Sequence, residues 1–476
     1  MPQSRTTADV LIVGAGAAGA TAAIDLAEAG ADVLVLEALP AFGGTAAVSG
    51  GGICIAGSAL QQQRGLDDSP DKALEDWLAF GGQEADEAWA ELYLRSSAPD
   101  LFDWLTNMGM EWTGINQQEG NRSPRWHAPK GSGHGLMQVV ENHTRTLPIR
   151  WEYNTRVVDL VQTGGRVTGV VAERTDGIAT EFSGDNVLLA SGGFNNNADM
   201  VRTYAAKQAR GHKVLLGGGR GATGDGHTIL ERLGAEFTHM DIIWMYPYGT
   251  PDPTDQNAVR GLVLRGMDSD IWVNQRAERF HNEALRGGAS GASALLAQDP
   301  PQCWAIIDGK MAQRVVVSDP AYQVRGAPNR EAIQHLLDSS PYVARGTTVA
   351  ELADSAGLDA TRLEQAIAQH NALLASGAEV DPLYGRPLAR LDPIEMPPYY
   401  AIQFLPLARK NFGGVRTDLE CRVLRPDGSA IDGLFAAGEL AGMAGGHING
   451  RAGLEGTMLG PSLFSGRVAA RAMLGE

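Results

Sequence analysis

The sequence predicts an α/β chain in which a Rossmann-like, parallel-sheet dinucleotide-binding domain is interrupted by an inserted α+β domain. Three observations carry that prediction. Gly14-Ala15-Gly16-Ala17-Ala18-Gly19 stands between an apolar run, Asp9 to Val13, and an alanine-rich helical stretch reaching Ala29. A second apolar run, Asp32 to Leu36, ends at Glu37, and the same character returns near Phe412 to Val415 and Gly433 to Glu439. In between, from about Thr238, proline and aromatic residues gather through Trp244, Tyr246, Pro247, Tyr248, Pro251 and Pro253. The chain therefore divides into 1–240, which includes a helical insertion at about 60–125, an inserted capping or substrate domain at 241–400, and a returning segment at 401–476.

Each element follows from its pattern. The run at Asp9–Val13 is short, apolar and β-rich, which is the signature of a buried strand, and the glycine turn and helix that follow it lead to a second such strand. A strand, a crossover helix and a parallel strand make a right-handed β-α-β unit. From Asp71 to Met110, apolar residues recur at helical spacing (Leu74, Trp77, Leu78; Leu92, Leu94, Leu101, Trp104, Leu105) and predict helices. Alternation predicts strands at Ile149–Arg156 and Arg166–Glu173, and Val187–Ala190 is a short buried strand ending in Ser191-Gly192-Gly193-Phe194. Helical runs are expected at Arg330–Leu337 and Ala360–Ala375, and a final helix from about Ser462 to Leu474.

Composition narrows the function classes. Lys and Arg number 39 against 56 Asp and Glu, a net charge of −17 that repels phosphate polyanions and excludes a nucleic-acid binder. No stretch approaches the roughly 18 apolar residues of a membrane span. The polar start, Met1 to Ala8, lacks the charged-then-apolar pattern of a signal peptide, so a cytoplasmic location is expected. Cys54, Cys303 and Cys421 lie too far apart for a disulfide framework, a zinc knuckle or a c-type haem site, and no metal site is expected.

In the glycine turn, Gly14 makes the bend, Gly16 admits a pyrophosphate and Gly19, following Ala18, lets helix pack on strand, with the helix N-terminus facing the phosphates. Glu37, eighteen residues after Gly19, is placed to accept both ribose hydroxyls, which disfavours a 2′-phosphate. A second glycine-rich stretch, Phe42 to Gly52, follows at once and includes Gly43, Gly44, Thr45, Ser49, Gly50 and Gly51. Such a loop suits the long, extended dinucleotide FAD, which NAD would not require; a mobile surface loop is the alternative.

These pieces carry a resemblance. With Gly43-Gly44-Thr45 to Gly52, Ala190 to Phe194, Thr223-Gly224-Asp225-Gly226, Val273-Asn274, Arg279-Phe280, Asn282-Glu283, Gly413-Gly414 and Gly433 to Glu439 in the right order, the chain resembles the flavoprotein superfamily of fumarate reductases, succinate dehydrogenase flavoprotein subunits and 3-ketosteroid dehydrogenases. The resemblance extends over essentially its whole length. The loop before Cys54 and Gly456-Thr457-Met458-Leu459-Gly460-Pro461 are more like the ketosteroid branch. The resemblance implies a glutathione reductase-type domain binding FAD non-covalently, with Val157, Ser191, Gly192, Asp225, Gly438, Glu439, Ser462 and Leu463 among the cofactor contacts. The last helix would start beneath the isoalloxazine, its dipole stabilising the reduced ring.

The implied chemistry exchanges hydride between a carbon beside a carbonyl and the flavin, with a proton moved at the neighbouring carbon; a proton carrier and a carbonyl polariser are required. The sequence departs from the fumarate reductase pattern. Tyr246 stands where that branch has a histidine before proline, Ala312 falls near its proton-donating arginine, and Lys410-Asn411-Phe412 replaces its histidine before the Gly-Gly pair. Arg451 falls where the ketosteroid branch has a substrate-facing tyrosine. Tyr246 is the first acid/base candidate, followed by Tyr248 and then Tyr399-Tyr400. Arg451 is a candidate anchor for a substrate carboxylate, with a surface salt bridge as the other reading. Glu283 and Arg286 match the proton-path pair of the fumarate reductases, or else form a plain i,i+3 helix pair. His127 and His134, near Lys130, read as structural. The expected activity is desaturation of a small-molecule ketone with electrons leaving to an external acceptor. The alternatives are an enoate reductase for a small carboxylic acid, a flavin monooxygenase and a non-catalytic FAD protein.

Overall fold

In the computed structural model, residues 6–175, 177–324 and 327–475 are described; Met1–Arg5, most of the polar start considered above, lie outside them. The chain forms two compact units, one of residues 1–200, 218–243 and 410–476, the other of 201–217 and 244–409. The segment 201–217, placed in the first domain by the sequence, clusters with the second unit. The reason is close packing: a Cβ on Gly217 would meet the Leu407 side chain at 2.6 Å, and Gly217 N donates to Ala408 O.

The first unit is built on β1 (Thr7–Val13), α1 (Ala17–Glu28) and β2 (Val33–Leu36), the predicted β-α-β unit, with β1 and β2 parallel and Val10 opposite Val33. Its sheet runs in the order Arg422–Leu424, Ala430–Ala436, Ala179–Leu189, β1, β2, Arg150–Glu152, parallel except at the first pairing. The lower half of Ala179–Leu189 also takes an antiparallel hairpin, Thr155–Thr163 and Arg166–Arg174. Both faces of the central strands are covered, so Val10–Val13, Val33–Leu36 and Val187–Leu189 are almost fully buried. The helix Leu459–Leu474 begins three residues earlier than its predicted start, which puts Pro461 at its third position. It lies on α1: the Thr21 hydroxyl donates to Leu463 O at 2.8 Å, Arg467 pairs with Asp25 at 2.8 Å, and a Cβ on Gly466 would strike Ala18 O. The expected helical insertion forms as Pro70–Gly81, capped by Ser69 with proline in its first turn, and Glu87–Ser97, capped by Asp86. Trp77, Trp89 and Tyr93 are its core.

The second unit is α+β. Its mainly antiparallel sheet runs Ile271–Val273, Cys303–Ile307, Tyr399–Asn411, Ile243–Pro251, Gly261–Arg265, Val316–Val317, and the long strand Tyr399–Asn411 also pairs Leu215–Leu216 and Val343–Gly346. Helices Arg330–Ser339 and Ala360–Ala375 match their predicted spans to within two residues. The three cysteines are buried and unlinked, and burial pushes the Cys54 thiol up to about 12. Among the described residues no helix is long and apolar enough to cross a membrane.

Three buried imidazoles make this fold sensitive to acid. Burial lowers His127 and His370 to about 4 and His227 to about 3. His127 Nδ1 sits 2.8 Å from Arg125 O and Nε2 2.7 Å from the Ser58 hydroxyl, whereas the His227 and His370 nitrogens have no hydrogen-bond partner. Each ring is neutral when folded, so between pH 6.5 and its lowered value the unfolded chain binds the extra proton and stability falls with pH. For His127 and His370 the loss reaches about 3 kcal/mol each by pH 4. Urea midpoints measured from pH 7.5 down to 4.5 are expected to decline steadily below 6.5; a flat profile would refute the assignment.

Candidate functional site

The first unit places its glycine turn at the end of β1, where the chain must bend under crowding. Gly14 has φ +109° and a Cβ there would lie 2.4 Å from Ala190 O; a Cβ on Gly19 would lie 1.9 Å from Gly14 O. Both positions are bare for packing reasons. Gly16 differs: its backbone is ordinary extended chain (φ −80°, ψ −166°) and nothing lies within 4 Å of an added Cβ. Space is kept open above the first turn of α1, where backbone N–H groups and the helix dipole favour a phosphate. The Glu37 carboxylate is buried and fixed, accepting Ala15 N–H at 2.7 Å on Oε2 and Leu39 N–H at 2.8 Å on Oε1. Each oxygen keeps a lone pair for a ribose hydroxyl.

A cleft, about 860 Å³ when its opening to solvent is included, runs past these groups. Of the predicted cofactor residues, Gly14, Gly16, Ala18, Glu37, Gly44, Thr45, Ser49, Ser191, Gly192, Gly438, Glu439 and Ser462 line it. An adjoining cavity of about 470 Å³ shares Gly14, Glu37 and Ser191 with the cleft and adds Val157 and Asp225. The two together form one path with Glu37 near its middle. On one side lie the strand ends Leu36 and Val157, sized for a base; on the other lie the turn of α1, the second glycine loop and the start of the helix Leu459–Leu474. The two glycine loops face each other, since a Cβ on Gly44 would come within 3.3 Å of Gly16 Cα.

Other predicted residues stand behind this lining. Gly43 donates its N–H to Ala15 O and holds the loop at φ +104°; Gly51, at φ +77°, is pressed against the Gly133 backbone; Gly50 faces Trp126; and Leu463 is fully buried with its carbonyl committed to Thr21. They shape the cleft from outside it. Asp225, expected among the cofactor contacts, is held by Arg156 and lines the adjoining cavity.

Two observations fit an extended dinucleotide here. The Ser191 hydroxyl is buried, lines both cavities and has no hydrogen-bond partner, and such a group is costly unless something pairs with it. Gly192, at φ +77°, leaves open space where a side chain would be. Sequence reasoning did not assign Leu39, Gly221, Met443, Met458 and Leu459 to the lining; Lys410, whose contact with the ligand would favour the small-acid reductase reading, lines it too. They lie on separate segments, and only the tertiary fold gathers them.

The predicted catalytic residues are dispersed. In the first unit, Arg451 is 67% exposed and bound to Glu84, with Nη2 donating to Oε1 at 2.5 Å, so the surface salt bridge is what forms. Lys130 likewise pairs with Glu111 on the surface. In the second unit, Tyr246 and Tyr248 are buried and stacked, ring centroids 5.1 Å apart, with the Arg409 guanidinium 5.7 Å over Tyr246. Tyr399 donates to Glu395 O on the surface and Tyr400 reaches Asp338. Glu283 and Arg286 do not form the expected pair. Residues 281–286 turn instead of forming a helix, and Arg286 Nε donates to the Glu283 carbonyl at 3.0 Å, not to its carboxylate. Glu283, fully buried, accepts from Arg279 (2.8 Å on each oxygen), Arg386 (3.0 Å) and Trp272 N–H (3.1 Å), while Arg286 binds Asp270 at 2.8 Å. Burial alone would raise the Glu283 carboxyl, but the Arg279 and Arg386 charges outweigh it and hold the group below its ordinary value.

Comparison with known proteins bears on this geometry. The family model described as FAD binding domain matches residues 9–459. The chain is 31% identical to a urocanate reductase of Eggerthella lenta over 448 residues, covering 93% of this chain and 71% of that one. It is 30% identical to a KsdD-like steroid dehydrogenase of Mycobacterium tuberculosis over 540 residues, covering 98% and 95%. Among solved structures, the open conformation of a flavocytochrome c3 fumarate reductase superposes with a TM-score of 0.77 at 27% identity, covering all of this chain and 79% of that one.

Proposed function

We propose, for a chain that belongs to the FAD binding domain family, that it removes two hydrogens from adjacent carbons beside a ketone carbonyl, in the manner of a steroid dehydrogenase. The protein is an FAD-dependent oxidoreductase. Bound FAD supplies a two-electron acceptor for hydride. The chain's own residues do the rest: the turn of α1 holds the pyrophosphate, Glu37 orients a ribose, and a side chain from residues 241–400, the substrate-recognising domain in this reading, carries the proton.

The observation that carries the ketone reading is Arg451, because the side chain best suited to grip a carboxylate bidentately is engaged with Glu84 at an exposed surface. Tyr246, buried and stacked on Tyr248, is kept as the proton carrier of this reading. The steroid dehydrogenase relative also matches nearly end to end, whereas the match covers 71% of the urocanate reductase. A second reading, reduction of a small unsaturated acid, is favoured by Lys410 in the cleft and by comparable identity to that reductase.

Anaerobic titration of the oxidised protein separates the readings. Bleaching of the flavin by a 3-ketosteroid or cyclic ketone is expected. Re-oxidation of dye-reduced protein by an enoate, with no bleaching by any ketone, would overturn the proposal. Tyr246→Phe is expected to lower the rate of bleaching about 100-fold or more with flavin content unchanged; wild-type rates would remove Tyr246 from the reaction.

A further inference from the structure

We propose that Lys410 sets the reduction potential of the bound FAD by placing a positive charge at the ring end of the cleft. The inference concerns the cofactor alone and stands whether the organic substrate is a ketone or an acid.

The cleft has a direction. The cavity beyond Glu37, walled by Leu36, Ala38 and Val157, takes the base end, and the N-terminus of α1 at Gly16 and Ala17 takes the pyrophosphate. In this proposal the isoalloxazine takes the stretch lined by Gly438, Glu439, Met443, Met458, Leu459 and Lys410. Two of these are methionines and one a leucine, surfaces suited to a flat apolar ring. Glu439 is an acid, as is Glu37 further along, and the chain carries a net charge of −17. Among the described residues lining the cleft, Lys410 is the one cation.

The charge matters because of what reduction leaves behind. FAD held here and reduced by hydride would take up two electrons and one proton and so would carry one negative charge, the substrate's second proton going to a base outside the ring. A site containing Glu37 and Glu439 opposes that charge. The helix Leu459–Leu474 offers the partial charge of its N-terminus, and the Lys410 ammonium adds a full positive charge to the lining.

The backbone beside Lys410 is also held. Asn411 N–H donates to Glu439 Oε1 at 3.2 Å, and Asn411 Nδ2 donates to Glu439 O at 2.9 Å and to Gly413 O at 2.6 Å. These bonds tether Lys410 to the Glu439 side of the cleft, apart from the phosphate-facing turn of α1. In this proposal its charge acts on the ring, and FAD retention is not expected to depend on it.

The test uses the holoprotein without organic substrate, so its outcome is independent of the desaturation reading. Midpoint potentials are measured by slow enzymatic reduction against a reference dye, and sulfite, which adds to the oxidised ring to give an anionic adduct, is titrated in parallel. Lys410→Met is expected to disfavour the reduced form at least tenfold, a fall of about 30 mV for a two-electron couple, and to raise the sulfite Kd at least tenfold. Lys410→Arg, which keeps the charge, is expected to stay within threefold of wild type on both. Values for Lys410→Met within threefold of wild type overturn the proposal. So does loss of FAD from Lys410→Met and from a second neutral variant, Lys410→Gln, since that assigns the lysine to retaining the cofactor.

Discussion

Glu283→Ala is expected to lower stability by about 3–5 kcal/mol, the usual consequence of leaving buried cations without their partner. Arg386 and Glu283 are both essentially inaccessible, Arg279 is nearly so, and the carboxylate binds both guanidinium groups as well as Trp272 N–H. Asp381 remains for Arg279 in the variant, but Arg386 keeps only the carbonyls of Asp270 and Asp268. The measurement is a urea melt of the FAD-loaded protein at pH 7.5, where a loss under 1 kcal/mol would dismiss the clamp. The pH dependence has a defined sign. Glu283 and Asp381 are both held below their ordinary values, Glu283 by Arg279 and Arg386 and Asp381 by backbone N–H groups and Arg279, in each case against the opposing effect of burial. Their contribution is complete above the ordinary carboxylate range and disappears as pH falls through the lowered values. A carboxylate acting as a proton relay would behave otherwise: Glu283→Gln would keep its stability and lose turnover.

The second large effect is on the cofactor. Gly16→Val is expected to weaken FAD binding more than 100-fold, so that the protein purifies colourless, while the thermal midpoint matches that of wild-type protein stripped of FAD. The backbone at Gly16 is one that valine adopts readily, and its side chain enters open space over the first turn of α1. That space is what the pyrophosphate requires. Gly19→Ala is the contrasting case, because a Cβ there collides with Gly14 O at 1.9 Å and damages the fold itself. A yellow Gly16→Val protein would show that the phosphates lie elsewhere.

These residues also mark what can be read from sequence. Gly14, Gly16, Gly19 and Glu37 were legible because their roles depend on a local unit, a strand, turn and helix whose geometry follows from spacing alone. Helices such as Arg330–Ser339 and Ala360–Ala375 were legible from periodicity. Partners far apart in the chain were not. Arg451 meets Glu84 across 367 positions and Glu283 meets Arg386 across 103, and no pattern near either residue announces it. The same holds for Lys410, Met443 and Leu459, each unremarkable in its own segment. For Glu283 and Arg286 it is the helix-pair reading that does not hold: their spacing suggests a helix, and the turn at 281–286 breaks it.

The sheet order carries one more consequence. Strand Ala430–Ala436 lies against Ala179–Leu189, and the helix Leu459–Leu474 covers α1, so pieces made late in translation complete a layer begun by the first residues. On the ribosome, the nascent nucleotide-binding lobe must wait, half-built and with apolar strands uncovered, until more than four hundred further residues have emerged. Residues 244–409 are continuous and face no such delay. The cleft is thus complete only once residues 438–462, which supply part of its lining, have been made.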